Sequence, residues 1–194
     1  MRYIVGLGNP GEEYELTRHN AGRMAVLELA RKEGIGELVF DKKMNALVGK
    51  GEIGDEKAQI ILPETFMNKS GNALKNIITS AKKAESLIVV HDDIDLPLGK
   101  IKISFGKNSG GHKGVESVIK AVKTINFTRV RIGISATNAK GVVKKPAGDK
   151  FLDYIVAKFK PAELVEIKKS VKKSVEALNL IVSEGAERAM SESN

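Results

Sequence analysis

The amino-acid sequence predicts a single-domain α/β fold. It is read as a twisted mixed β-sheet flanked by helices on both faces, with a long C-terminal helix. Three observations carry this reading. Apolar runs of strand length alternate with stretches of helical periodicity along the 194 residues. Two of the strands are joined by a Gly-Asp turn, so the sheet is not purely parallel. Pro161 opens a long segment with Leu164, Ile167, Val171, Val175, Leu178 and Val182 on one face.

In chain order, Tyr3 to Leu7 reads as a buried first strand. Ala21, Met24, Ala25, Val26 and Leu29 form the apolar face of a helix that stops at Gly34. "ALVGKGEIGDEKAQIILP" gives two strands around the turn. Ala73, Leu74, Ile77, Ile78 and Ala81 have helical spacing, and "SLIVV" (86–90) is short and apolar, as a central strand is. "KIKISF" (100–105) and "TRVRIGI" (128–134) alternate. Between them Val115, Val118, Ile119 and Val122 mark a helix opened by "NSGGHKG". The span 138–150, with Gly141, Pro146, Gly148 and four lysines, reads as a loop, and a mobile basic lid is expected there. The domain is placed at 1–187, and 188–194 is expected to be a flexible tail.

Composition narrows the function classes. The chain contains no cysteine, which removes disulfides and thiolate metal sites and suits a reducing, cytoplasmic setting. No apolar run is long enough to span a bilayer, so no membrane role is expected. Between Lys100 and Lys150 stand twelve lysines and arginines against two acids, Glu116 and Asp149. A solvated basic face is the bland explanation. A one-sided excess this large points more strongly to a polyanion, nucleic acid first.

"GLGNPG" fits the glycine spacing of a dinucleotide loop at Gly6, Gly8 and Gly11. Pro10 removes an amide that a phosphate would need, and "EEYE" follows where the phosphate would lie. The glycines are better read as a tight turn presenting Asn9. Asp92 follows a buried strand, where a carboxylate can orient His19 and stabilise its protonated form. Asn9 and Asn68 are amides outside regular elements, suited to hold a carbonyl or an oxyanion. No serine or cysteine nucleophile stands out, so a His–Asp pair activating water directly fits best. His19, His91 and His112 lack metal-binding spacing, so neither a metal nor another cofactor is expected. His91 and His112 are read as supporting or loop residues.

Five segments in order, "VGLGNPGEEYELTRHNAG", "LPETFMNKSG", "HDDIDLPLGKIKI", "GGHKG" and "FTRVRIGI", closely resemble the bacterial-type peptidyl-tRNA hydrolases. The likeness runs from residue 3 to about Phe159. It implies a cofactor-free, monomeric cytosolic esterase that cleaves peptide from the 3′ end of tRNA. By motif match, His19 would be the base that activates water and Asp92 its supporting carboxylate. Asn9 would help to tell peptidyl-tRNA from aminoacyl-tRNA. Tyr14, Phe66 and Asn68 would contact the substrate's 3′ end and peptide, and Arg131 and Lys140 would face the tRNA. Two departures stand out. Lys113 replaces the asparagine of the "GGHNG" pattern, and its place at a glycine-rich helix start suggests a phosphate grip. Ser104 replaces a basic residue, whose charge Lys102 and Lys107 would supply. Two other readings are an RNA-binding protein without catalysis and a hydrolase for a different acyl substrate. The His–Asp pair and the two asparagines argue against the first, the basic strip against the second.

Overall fold

The computed structural model describes residues 1–146 and 148–194; Ala147, inside the expected lid segment, lies outside the described residues. Seven strands form one mixed sheet: β1 (Arg2–Gly6), β2 (Val39–Asp41), β3 (Ala46–Ile53), β4 (Glu56–Pro63), β5 (Leu87–Pro97), β6 (Ile101–Phe105) and β7 (Thr128–Ser135). Their order is β2-β3-β4-β1-β5-β7-β6. The four middle strands are parallel; hairpin-linked β3 and β2 add an antiparallel edge on one side, and β6, joined to β7 through α3, pairs antiparallel with it on the other. Helices α1 (Ala21–Lys32), α2 (Ala81–Ala84), α3 (Lys113–Val122), α4 (Lys150–Val156), α5 (Pro161–Glu184) and α6 (Ala186–Ser193) cover it.

Strand alternation divides the core in two. Ile4 lies between Ile60 and Ile88 in register, and all three pack on the side of α1 and α5. Their neighbours Val5, Ile61 and Val89 face the opposite way, toward Leu74, Val115, Val118 and Phe127. Both layers are therefore pinned to the same four parallel strands. The carboxyl ends of β1 and β5 emerge side by side between them, which is where such sheets carry ligands.

Three expectations are corrected. The helix expected around 73–81 is instead a 3₁₀ segment, Met67–Leu74, followed by the one-turn α2. The run Ile77-Ile78-Thr79 is β-branched and resists helix, and Ser80 starts α2 anew by accepting a hydrogen bond from the Lys83 N–H. The short strand at 86–90 continues to Pro97, because the charged stretch after Val90 still pairs with β7. Residues 188–194, expected as a flexible tail, form most of α6 and Asn194. Ala189 is buried, and the Asn194 amide makes two hydrogen bonds to the backbone of Ile103 on the edge strand β6, 2.7 and 3.0 Å long. The strands β2 and the helix α4 were not anticipated.

Segment 138–150 begins as a compact turn. The Asn138 carbonyl oxygen of the side chain accepts from the Lys140 and Val142 amides, and Lys145 pairs with Asp95. Beyond it, α4 is joined to the start of the molecule by Arg18. This buried guanidinium donates to the Ala157 and Lys158 carbonyls, forks onto Glu163 at 2.9 and 2.7 Å, and stacks on Tyr154.

One glycine sets the distance between α1 and the sheet. A Cβ at Gly22 would lie 2.2 Å from the Val90 carbonyl oxygen and 2.9 Å from the His91 Cα. Backbone cannot retreat as a flexible side chain can. Gly22→Ala is therefore expected to cost about 1–3 kcal/mol of stability, the usual range for overpacking. Urea unfolding checks this, and an unchanged midpoint would contradict so close an approach.

Candidate active site

The turn after β1 is built by side chains that bond to backbone. The amide of Asn20 accepts from the Asn9 N–H at 2.8 Å and donates to the Asn9 carbonyl at 2.9 Å. Asn9 is thereby held at a fixed angle. Its own side-chain oxygen accepts from the Met67 N–H at 2.9 Å, which leaves Nδ2 as its donor toward the cavity that it lines. "GLGNPG" thus presents an amide, as the turn reading expected, and the motif opens into no phosphate-binding helix.

His19 sits in a 3₁₀ turn, Arg18–Asn20, immediately before α1. Its Nδ1 lies 3.0 Å from both carboxylate oxygens of Asp92, at the end of the apolar part of β5. Both residues are buried. A second histidine meets the same carboxylate. His112 Nε2 lies 2.8 Å from Asp92 Oδ1. His112 is also the N-cap of α3, where its Nδ1 accepts from the Gly114 and Val115 amides, both at 3.2 Å. Those bonds place the ring proton on Nε2, so His112 donates to Asp92. The third histidine also reaches Asp92: His91 Nδ1 donates to its main-chain oxygen at 2.6 Å. The His91 ring stands edge-on to His112 with centroids 4.7 Å apart. All three histidines of the chain converge on one aspartate.

The electrostatics follow. Burial opposes protonation of His19, but the adjacent Asp92 charge and hydrogen bond outweigh it and raise the pKa above the usual histidine value. Asp92 is buried, which opposes its ionisation, yet the imidazoles of His19 and His112 hold it well below the usual carboxylate range. His91 goes the other way. Its burial, then the proximity of His112 and Arg129, keep it neutral. The result is an ionised carboxylate that holds the proton of a neutral His19 on Nδ1, with Nε2 left unprotonated.

Among the described residues, His19, Asp92 and His112 are the group whose donor atoms could surround a cation, all within 4.8 Å of one another. Their chemistry fits hydrogen bonding better. His112 Nε2 carries a proton as long as its Nδ1 accepts two amides, and Asp92 Oδ1 is already shared by both rings.

A cavity of about 1200 Å³ opens in front of this cluster. Asn9, His19, Asp92, Phe66, Asn68, Lys102, Lys107, Lys113 and Arg131, all predicted from sequence, line it. Tyr14 does not, but its ring meets Phe66 edge-on at 6.5 Å beside the rim. Lys140 lies in the turn after β7, outside the lining. Two basic residues are less free than expected: Arg131 Nε is 2.6 Å from Asp93, and Lys113 Nζ is 3.1 Å from Glu116. Sequence reasoning read His112 as a supporting or loop residue and did not find its bond to Asp92. The available signal was its place at a helix start, where an imidazole nitrogen can cap.

Residues 3–194 match the family model described as peptidyl-tRNA hydrolase. The chain is similar to the peptidyl-tRNA hydrolase of Thermodesulfovibrio yellowstonii, 42% identical over 193 residues, covering 98% of this chain and 97% of that one. It is similar to that of Thermoanaerobacter sp. (strain X514), at 43% over 195 residues and the full length of both. Among solved structures, a crystal structure of peptidyl-tRNA hydrolase from Acinetobacter baumannii superimposes with a TM-score of 0.88 at 31% identity, covering 100% of this chain and 94% of that one.

Asp92→Asn removes the charge that raises the His19 pKa. If the neutral form of His19 is the active one, activity rises with pH through that pKa. The acidic limb of the pH–rate profile should therefore move to lower pH in Asp92→Asn, with a lower plateau. A limb that stays in place would break the link between the two residues.

Proposed function

The chain belongs to the peptidyl-tRNA hydrolase family, and on that premise we propose that His19 activates the water that cleaves the ester between peptide and tRNA. The observation that supports this most directly is the buried Nδ1 contact of His19 with both oxygens of Asp92. It leaves Nε2 as the free base at the cavity.

In the proposed reaction, His19 Nε2 takes a proton from water as the oxygen attacks the ester carbonyl. The resulting imidazolium is stabilised by Asp92. The carbonyl oxygen becomes an oxyanion, and the Asn9 Nδ2 donor, with the Asn68 amide at the cavity wall, offsets its charge. Collapse breaks the bond to the ribose oxygen. His19 returns its proton to that oxygen, so peptide acid and free tRNA leave and the enzyme is unchanged. The ester is already activated, so no covalent nucleophile is required.

The tRNA part of the substrate is assigned to the basic side of the cavity, where Lys102, Lys107, Lys113 and Arg131 stand. Phosphate contacts there would release counterions and serve many tRNAs alike. Lys140 and Tyr14, whose ring meets Phe66 of the lining, extend this surface outside the cavity. We place the reaction in the cytoplasm, where translation occurs; no described helix is long and apolar enough to cross a membrane. We take the enzyme to act as a monomer, the state that its resemblance to the family implies.

His19→Ala is expected to lower turnover of peptidyl-tRNA by about 10²–10⁴ while tRNA binding persists, the usual worth of a general base. Turnover is measured against an unrelated peptide and a simple ester as controls. Near-normal turnover by the folded variant would exclude His19 as the base. Faster cleavage of the simple ester than of peptidyl-tRNA would favour a different acyl substrate.

A further inference from the structure

β6 is the last strand on its side of the sheet. Main-chain groups on an antiparallel strand alternate between its two edges. The Lys100 carbonyl accepts from the Gly133 amide of β7, so the even-numbered residues of this stretch bond inward. The main-chain groups of Ile101, Ile103 and Phe105 therefore point outward. At Ile103 both are taken by one side chain. Asn194 Oδ1 accepts from the Ile103 N–H at 2.7 Å, and its Nδ2 donates to the Ile103 carbonyl at 3.0 Å. These are the two bonds that one residue of an added antiparallel strand would make. The hold on this edge is light. Asn194 is exposed, and α6 buries only Ala189 fully.

The edge also joins two cavities. Ile103, Phe105 and Asn194 line the cavity that contains His19 and Asp92. A second cavity of about 490 Å³ lies past Asn194 and is lined by Ile101 of the same strand. Its walls mix apolar Leu96 and Leu180 with charges of both signs, Lys173 and Glu176. Lys102 and Asn194 line both cavities, so Asn194 stands on the boundary between them. A path along β6 thus offers main-chain groups and then a wall of mixed polarity. That suits a chain whose side chains vary from one molecule to the next.

We propose that the outer edge of β6 pairs with the main chain of the substrate's peptide as an added strand, and that Asn194 occupies this edge until the peptide displaces it. This rests on the reading of the cavity as the site of ester cleavage. Asp92 is in register with Ile132 of β7, and Ile132 with Ile101 of β6. A strand added outside β6 lies three strand spacings from β5, roughly 14 Å. An extended chain covers that distance in about four residues. The contact is therefore made beyond about the fourth residue from the ester, and it reads backbone rather than side chains. The tRNA carries no regular row of N–H and C=O groups to match such an edge. Nucleotides laid along β6 are the competing occupant, and they would be indifferent to peptide length.

The test uses peptidyl-tRNAs that share one tRNA and carry N-acetylated alanine–serine repeats of two or eight residues. Asn194→Ala is expected to lower KM for the eight-residue substrate about fivefold, because one hydrogen-bonded contact no longer has to be displaced. The two-residue substrate should be unaffected. A second measurement needs no variant. In the eight-residue peptide the nitrogens of the fifth and seventh residues from the ester are methylated, or those of the sixth and eighth. Each set blocks one edge of an extended strand, so one should raise the wild-type KM about fivefold and the other should not. Equal effects of Asn194→Ala on both lengths, or none on either, overturn the inference, as do equal effects from both methylated sets or from neither. Failure of wild type to release either tRNA, or release undiminished in His19→Ala, would instead strike the reading of the cavity on which it rests.

Discussion

A single buried carboxylate organises this molecule's chemistry. Asp92 sits where β5 leaves the core, between two helical layers, and burying its charge is unfavourable by itself. It is tolerated because imidazole N–H groups reach it from both layers. His19 arrives from the α1 side and His112 from the α3 side. His91, on the same strand, bonds the aspartate's main-chain oxygen and stays neutral beneath His112. Removing any one partner would leave polar groups buried without compensation, so the cluster behaves as a unit.

This arrangement explains why His19 and His112 differ although both touch Asp92. His112 spends its second nitrogen on two amides of α3. It has no lone pair left for a substrate and serves as a fixed donor. His19 has no such second bond, and its Nε2 remains a base. One carboxylate therefore supports a positioning imidazole and the one proposed to react, and the difference between them lies in what each ring's far nitrogen meets. The same separation of duties extends outward. Asn20 fixes the Asn9 backbone, so the Asn9 side chain is preset, and Gly22 lets the turn carrying His19 lie against the strand carrying Asp92.

Much of this was legible in the sequence, for definite reasons. Strands buried on both faces leave uninterrupted apolar runs, so β1, β4 and the start of β5 could be located, and the first polar residue after such a run marks a strand end. Asn9 and Asp92 were found in that way. His112 was harder to place, because its role depends on α3 approaching β5 across the sheet and no local pattern records that. The helix expected at 73–81 failed because helical spacing of aliphatics was weighed above the β-branched run Ile77-Ile78-Thr79. Residues 188–194 looked like a tail because α6 buries little apolar surface; its anchor is the Asn194 amide on β6, a contact distant in sequence. The charge excess was legible in the sequence, but the pairing of Arg131 with Asp93 and of Lys113 with Glu116 required the register of β5 with β7 and the pitch of α3.

The central claim is that Asp92 sets the tautomers of two histidines in opposite senses. The direct measurement is the nitrogen-15 chemical shifts of the imidazole nitrogens, taken at a pH where both rings are neutral. The account predicts His19 with its proton on Nδ1 and a bare Nε2, and His112 with its proton on Nε2 and a bare Nδ1. A proton on Nε2 of His19, or a rapidly averaged pair of tautomers there, would contradict it.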